Sequence, residues 1–180
     1  MNPIRKTYGT TEVQITSFQS SKGITEYHIF FQQTDSMEDF RTQLQHIQDV
    51  YARSVEELPG NPVAIFRRYF LSDVTNQTDE LMERERLSPY CALSIVQQAP
   101  MNGTKIALWA WLQTGVQTQV LPSGLFEARH GAYGQLLGAN LCNRAANSEY
   151  QTRLIFRDYI LQLTEANCTL ADNCLRTWIF

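Results

Sequence analysis

Polar and apolar residues alternate in several short stretches of the chain, and such alternation predicts β-strands. In residues 12–18, apolar Val13 and Ile15 alternate with polar Glu12 and Gln14, as in a strand with one buried face. A turn at residues 20–23 separates this strand from the next, so the two predict a hairpin. In the first part of the chain, the predicted strands are residues 12–18, 25–32, 63–71, 91–97 and 106–113.

A long amphipathic helix is predicted between the second and third of these strands, over residues 36–58. Its apolar residues recur at spacings of three or four, which places them on one face. Ser36 and Asp39 resemble a capping box at its start, and Pro59-Gly60-Asn61-Pro62 ends it. The predicted face consists of Phe40, Leu44, Ile47, Tyr51, Val55 and Leu58. Residues 72–86 are polar and predict a second helix.

The fourth and fifth strands are predicted to form a hairpin around residues 99–103. The resulting element order, β-β-α-β-α-β-β, predicts an α+β unit with four or five mainly antiparallel strands under the long helix. The second strand carries large side chains on both faces, Tyr27, Ile29 and Phe31 on one and His28 and Phe30 on the other. One helix layer covers one face only, so we expect the other face to contact another sheet.

The pattern begins again after residue 115. Strands are predicted over residues 116–121 and 133–142, followed by a helix whose capping box is Ser148 and Gln151 and a last strand over residues 174–180. The helix face that we expect to be buried is Ile155, Phe156, Tyr159, Ile160 and Leu163. We therefore predict domains 1–115 and 116–180. Because the sequence stops at three large apolar residues, we expect it to be the front part of a longer protein.

Composition and charge limit the classes of protein to which this chain can belong. A hydrophobic content of 43% is enough to build a core. The net charge is −3 and the largest basic cluster is Arg67-Arg68, which argues against a nucleic-acid surface. Residues 80–86 are densely charged and predict a solvated helix face. No apolar run approaches ~18 residues, and the first ten residues lack the apolar segment of a signal peptide, so we expect a cytoplasmic protein.

The four cysteines leave two interpretations open. Cys91, Cys142, Cys168 and Cys174 show no Cys-x-x-Cys spacing, which favours reduced core cysteines. The alternative is a metal site built from Cys168, Cys174 and a histidine. No phosphate-binding loop and no haem or flavin motif is present in the sequence. We therefore expect neither a metal nor an organic cofactor.

Two groups of charged residues are candidates for chemistry. On a strand, Glu127 and Arg129 share a face while His130 points the other way, which favours a solvated ion pair over an acid–base site. Arg67 and Arg68 point to opposite faces of the third strand. One of them must be partly covered. That arginine either pairs with an acid or contacts a ligand or another subunit, and we favour the acidic partner.

The last thirty residues are similar to part of a known protein family. The stretch QTRLIFRDYILQLTEANCTLADNCLRTWIF resembles the helix-then-strand core of the Rid superfamily, the YjgF-like proteins often labelled endoribonuclease L-PSP. The features that carry the resemblance are Gln151-Thr152-Arg153, Leu170-Ala171-Asp172 and Thr177-Trp178. Tandem Rid-like units occur in chorismatase-type enzymes, and the layout here is similar. The resemblance implies a chorismate-mutase-like sheet packed against helices.

The resemblance also implies site residues. Rid proteins generally hold the substrate carboxylate with the arginine of a Pro-x-Arg motif, and the corresponding Pro89-Tyr90-Cys91 has Cys91 at that position. The glutamate expected on the following strand is missing as well, so we predict a first unit without the usual site. Residues 131–135 resemble the Gly-Pro-Tyr-Ser-Gln motif, whose tyrosine lines the pocket. Tyr133 therefore either binds substrate or packs as an ordinary strand residue.

Three functional hypotheses follow from the resemblance. The leading one is a Rid/chorismatase-like protein that binds a small carboxylate-bearing metabolite and hydrolyses an imine or a chorismate-type substrate. The second is a noncatalytic ligand-binding or assembly module with the same fold. The third, an endoribonuclease, fits poorly with an acidic chain. Because Rid-like sheets commonly curl around a threefold axis, we also expect self-association in a trimer-like or pseudo-oligomeric arrangement.

Overall fold

The structure is a computed structural model, and it describes residues 3–20, 23–88, 90–131, 133–145 and 147–179. Contacts between Cα atoms divide the chain into two compact units, Met1–Val116 and Gln117–Phe180. The first unit contains a six-stranded mixed sheet, with two helices between its strands in chain order. The second contains a three-stranded sheet followed by two helices. The predicted α+β class is therefore confirmed.

The first unit contains the elements β1 Ile4–Tyr8, β2 Thr11–Gln19, β3 Thr25–Gln33, α1 Phe40–Glu56, β4 Val63–Leu71, α2 Val74–Glu85, β5 Ala92–Gln97 and β6 Ile106–Gln113. Its sheet has the strand order β1-β2-β3-β6-β4-β5. The prediction of four or five strands missed β1. This strand lies at the sheet edge and pairs only with β2, so its side chains are largely exposed and carry little apolar pattern.

The predicted hairpin of the fourth and fifth strands is wrong. β5 pairs with β4 in parallel, and β6 lies between β3 and β4, antiparallel to both. A parallel pair needs a crossover connection, and α2 supplies it. Within this sheet, β6 is accordingly the most enclosed strand, with six of its eight residues buried. The turn residues 99–103 mark a reversal of the chain. A local turn does not show, however, which strands of the sheet β5 and β6 pair with.

Both predicted capping boxes are displaced from the true helix starts. Asp39 is the N-cap of α1 and its Oδ1 accepts a hydrogen bond from the Thr42 amide at 2.8 Å. Asn147 caps the helix of the second unit in the same way, accepting from the Tyr150 amide at 3.0 Å. Ser36 and Ser148 are not the caps, because a neighbouring Asp or Asn is at least as good an acceptor for the free amides of the first turn.

The core of the first unit lies between the sheet and α1. Leu44 and Ile47 of α1 are fully buried against side chains of β3 and β6. On β3, the residues of this face are Tyr27, Ile29 and Phe31, which are all buried. His28 and Phe30 therefore lie on the opposite face, as the alternation predicted.

The second unit contains β7 Gln117–Val120, β8 Phe126–His130, β9 Tyr133–Leu137, α3 Ser148–Glu165 and α4 Leu170–Asn173. Its sheet is antiparallel with the order β7-β8-β9. Within the described part of this unit, three predictions are wrong: β8 was missed, β9 ends at Leu137 rather than at residue 142, and residues 174–179 are not a strand. On α3, Leu163 is buried as expected, whereas Ile160 is exposed.

Candidate functional site

The face of the first unit's sheet opposite α1 carries a cluster of rings around one arginine. Its members come from β3, β4, β5 and β6, and adjacent strands place them side by side. We call this cluster the aromatic face, and it consists of His28, Phe66, Arg68, Ser94, Trp109 and Trp111. Residue alternation along each strand keeps these six side chains away from the core side.

His28 stacks on both indole rings of β6. Its imidazole lies 5.9 Å from the Trp109 ring at 13° and 5.4 Å from the Trp111 ring at 24°. His28 faces Trp111 directly across the β3–β6 pair, and the two tryptophans are two residues apart on one strand. Cross-strand pairing therefore creates a continuous aromatic surface from positions that are distant in sequence.

Arg68 lies beside these rings on β4. Its Nε donates a hydrogen bond to Ser94 Oγ at 3.1 Å. The guanidinium carbon lies 5.1 Å from the centre of the Phe66 ring and 5.7 Å from that of Trp109. The residue is only 7% exposed. Burial lowers the pKa of Arg68, yet arginine starts so high that it stays protonated at neutral pH. The cation is thus held in place on an apolar surface.

The remaining polar groups of the aromatic face are the imidazole of His28 and the indole N–H groups of Trp109 and Trp111. Burial lowers the pKa of His28, and the nearby Glu26 carboxylate at 3.9 Å opposes this only in part. The His28 ring is therefore neutral at pH 7. Trp111 Nε1 is buried and has no hydrogen-bond partner in the described part of the chain. An unpaired buried N–H costs free energy, so this indole is a strained feature of the face rather than an open donor.

The other arginine of β4, Arg67, points into the core. Arg67 Nη2 lies 3.0 Å from Glu85 Oε2, and both side chains are almost fully buried. This confirms the predicted acidic partner of a covered arginine. It also shows that the prediction of a solvated charged run is wrong at Glu85, because this position faces the sheet from the end of α2.

Cys91, the residue at which the resemblance expects an arginine, belongs to this buried cluster. Its Sγ accepts a hydrogen bond from Arg67 Nε at 3.1 Å, and the residue is 2% exposed. Burial raises the pKa of the Cys91 thiol, although the Arg67 guanidinium opposes the rise. A buried thiol with a raised pKa is a packing group rather than a nucleophile.

Two tyrosines complete the cluster. Tyr69 donates its hydroxyl to Glu85 Oε1 at 2.7 Å, and burial raises the pKa of Tyr69 well above its usual value. The Arg67 guanidinium lies over the Tyr51 ring, and burial raises the pKa of Tyr51 to about 12. Glu85 therefore receives both a cation and a hydroxyl donor, and Arg67 is satisfied within the core.

In the second unit, Tyr133 is the first residue of β9. It is half exposed, and its ring stacks on that of His130 at 5.2 Å. Its binding role stays a prediction. On β8, Glu127 and Arg129 form the expected pair, with Glu127 Oε1 and Arg129 Nη2 2.6 Å apart. The pair is not fully solvated as predicted, because Glu127 is only 5% exposed.

The four cysteines are free, and they occupy different environments. Cys91 is buried, Cys142 is exposed, and Cys168 and Cys174 are partly buried. The interpretation of all four as core cysteines is therefore wrong for Cys142. Among the described residues, no three side chains of His, Cys, Asp or Glu lie close enough together to hold a metal ion. In the same part of the chain, no helix has the length and apolarity that a bilayer crossing requires.

Comparisons with protein-family models, with curated proteins and with solved structures give no match to this chain. A function must therefore be argued from the fold, the resemblance and the site itself. Sequence reasoning placed His28 and Phe30 on one face of the second strand, but it did not connect that face with Arg68. The missing information was that β6 lies beside β4, which brings Trp109 opposite Arg68.

Proposed function

We propose that this protein is a Rid/chorismatase-like module that binds a small carboxylate-bearing metabolite at the aromatic face. Two observations support the proposal: the α+β unit with helices over one side of its sheet, and the cationic site on the other side. The observation that carries it is the placement of Arg68, which holds its guanidinium against Phe66 and Trp109 while Ser94 orients it.

The chemistry of a guanidinium in this setting suits a carboxylate. Two parallel N–H groups of arginine match the two oxygens of a carboxylate, and such charge-assisted pairs are stronger than neutral hydrogen bonds. Arginine is also weakly hydrated and stacks on rings, so it keeps its charge beside Trp109 at a lower desolvation cost than lysine.

A noncatalytic binding module is the second candidate, and a specific observation favours it. Cys91 is buried beside Arg67, so the position of the expected carboxylate-binding arginine is part of the core. The following strand, β6, presents Ala107, Trp109 and Trp111 to the aromatic face and no carboxylate that could position a water. The first unit therefore has groups for binding and none of the groups that the resemblance assigns to hydrolysis.

Tryptophan fluorescence tests the binding proposal directly. Two of the three tryptophans, Trp109 and Trp111, lie in the aromatic face, so an occupied site should change the emission. The protein is titrated with benzoate and with pyruvate as carboxylate probes, and with benzyl alcohol as an uncharged probe. We expect saturable changes with the carboxylates and weaker ones with the alcohol.

Variants identify the arginine responsible. Arg68→Met should weaken carboxylate binding by about tenfold or more, because a charge-assisted pair is lost. Arg5→Met on the exposed edge strand β1 is the matched control and should bind normally. Unchanged carboxylate binding by folded Arg68→Met would refute the site, and saturation by benzyl alcohol alone would identify a purely apolar surface.

A further inference from the structure

The second unit contains a cavity of its own with a volume of about 360 Å³. Strands β7, β8 and β9 supply one wall, and the segment that follows α3 supplies another. Its size lies at the lower end of the range for small-molecule sites, roughly 300–1,000 Å³. Every lining residue belongs to the second unit, so the cavity is distinct from the aromatic face.

The carboxylate of Glu127 lines this cavity and is held in place by two hydrogen bonds. Its Oε2 accepts from Gln119 Nε2 at 2.5 Å and its Oε1 from Arg129 Nη2 at 2.6 Å. The Gln119 hydrogen bond lowers the pKa of Glu127, burial opposes this, and the Arg129 guanidinium lowers it further. The carboxylate is therefore ionised at neutral pH. Its two oxygens offer about four acceptor positions, so two bonds leave capacity for a ligand donor.

Gly134 makes room for this carboxylate. The residue faces Arg129 in the β8–β9 register and lines the cavity. A Cβ atom at position 134 would lie 2.9 Å from Glu127 Oε1, closer than side chains normally approach. Because Gln119 and Arg129 hold Glu127 from two sides, its carboxylate has little freedom to move away. A side chain at position 134 would displace the acceptor from the cavity.

The cavity presents both signs of charge next to an apolar wall. Glu127 and Glu165 are negative, and Arg129 is positive with its side chain 56% exposed. Leu121, Pro122 and Leu136 contribute apolar surface. A ligand with only an ammonium group would meet the Arg129 cation, and one with only a carboxylate would meet two acidic side chains. A ligand that carries both charges satisfies both signs.

We propose that this cavity binds a small zwitterion, an α-amino acid with an aliphatic side chain. Its ammonium group donates to Glu127, and its carboxylate accepts from Arg129, whose guanidinium has donors beyond the one given to Glu127. The aliphatic side chain packs on Leu121, Pro122 and Leu136. This site does not depend on the carboxylate site at Arg68.

Isothermal titration calorimetry with three probes of similar shape tests the assignment. L-leucine carries both charges, 3-methylbutylamine only the ammonium, and 4-methylpentanoate only the carboxylate. We expect leucine to bind to the full chain at least about tenfold more tightly than either analogue, because each analogue loses one charge-assisted pair. Equal binding of leucine and one analogue, or no binding of leucine, overturns the proposal.

Substitutions in the cavity test which residues bind leucine. Glu127→Gln should weaken leucine binding about tenfold or more while leaving the shape of the cavity intact. Gly134→Ala keeps every charge but displaces Glu127, so it should weaken leucine binding even if Glu127→Gln fails to fold. Glu149→Gln is the matched control, since Glu149 is an exposed acid of α3 paired with Arg153. Arg68→Met should also bind leucine normally. Loss of leucine binding in that variant would show that leucine binds at the aromatic face instead.

Discussion

Arg67 Nη2 and Glu85 Oε2 lie 3.0 Å apart inside the first unit, with side chains that are 3% and 4% exposed. This buried ion pair links β4 to the end of α2. Burial alone would lower the pKa of Arg67, but Cys91 and Glu85 raise it. Removal of one partner leaves a charge in the core without its counterion.

Arg67→Met should therefore lower the free energy of unfolding by about 3–5 kcal/mol, measured by urea denaturation. The control is Arg53→Met, which removes an exposed pair with Glu57 and should cost less than about 1 kcal/mol. The double variant Arg67→Met/Glu85→Leu should be more stable than Arg67→Met, because no charge stays behind. Equal losses for Arg67→Met and Arg53→Met would contradict the role of the pair.

Leu44→Asp should unfold the first unit. Leu44 is fully buried between α1 and the sheet, and a carboxylate there has no partner in an apolar layer. Far-ultraviolet circular dichroism with thermal melting measures the loss. Met37→Asp is the control, because Met37 is 89% exposed and precedes α1. A Leu44→Asp protein that melts like the wild type would show that α1 does not cover the sheet through this face.

The stability of the first unit should fall as the pH falls below about 6.5, the ordinary pKa of histidine. Burial lowers the pKa of His28 in the folded state, so the unfolded state takes up the proton first. The stabilisation is complete above the unfolded pKa and is lost as the pH drops toward the folded one. Melting temperatures between about pH 7.5 and about pH 5 measure this slope.

His28→Gln should flatten that pH dependence, because glutamine does not titrate. His46→Gln, which changes a partly exposed histidine near Glu38, should retain the slope of the wild type. An unchanged slope in His28→Gln would assign the pH dependence to other groups.

The 180-residue chain by itself should show no imine deaminase and no chorismate hydrolase activity. The reason is that Cys91 occupies the position at which the Rid resemblance expects a carboxylate-binding arginine, and it is buried. Assays of the purified chain with an imine and with chorismate check this. Turnover that Tyr133→Phe abolishes would contradict the prediction and give Tyr133 a catalytic role.

Self-association should involve the aromatic side of the first sheet. Phe30 on β3 is 38% exposed and faces the same way as His28, so a second sheet packed there would bury it. Multi-angle light scattering should show a mass that rises with concentration. Phe30→Lys should reduce that rise, whereas Met101→Lys in the β5–β6 loop should not. A constant monomer mass at all concentrations would exclude association through this face.

The pattern of the sequence determined most of the local structure of the first unit. The sequence pattern identified β2, β3, β4 and β6 within about a residue at most ends, by alternation in β2, and periodicity identified α1 and its buried face. The bounds of these elements and their buried faces depend on which side of a strand or helix faces the core. The spacing of apolar residues that are close in sequence shows that side. The same reasoning separated His28 and Phe30 from Tyr27, Ile29 and Phe31 and favoured an acidic partner for one arginine of β4, whereas the packing of α1 decided which face is covered.

Tertiary structure alone decided which strands are neighbours, and the sites depend on that. β6 lies between β3 and β4, so Trp109 stands beside Arg68, and the parallel β5 brings Ser94 to the same guanidinium. In the second unit, β8 was missed although Phe126 and Ala128 alternate with Glu127 and Arg129, and its pairing with β7 and β9 brings Gln119 and Gly134 to Glu127. Strand pairing is made by backbone hydrogen bonds, which every residue except proline can form, so the order of strands leaves little trace in the sequence.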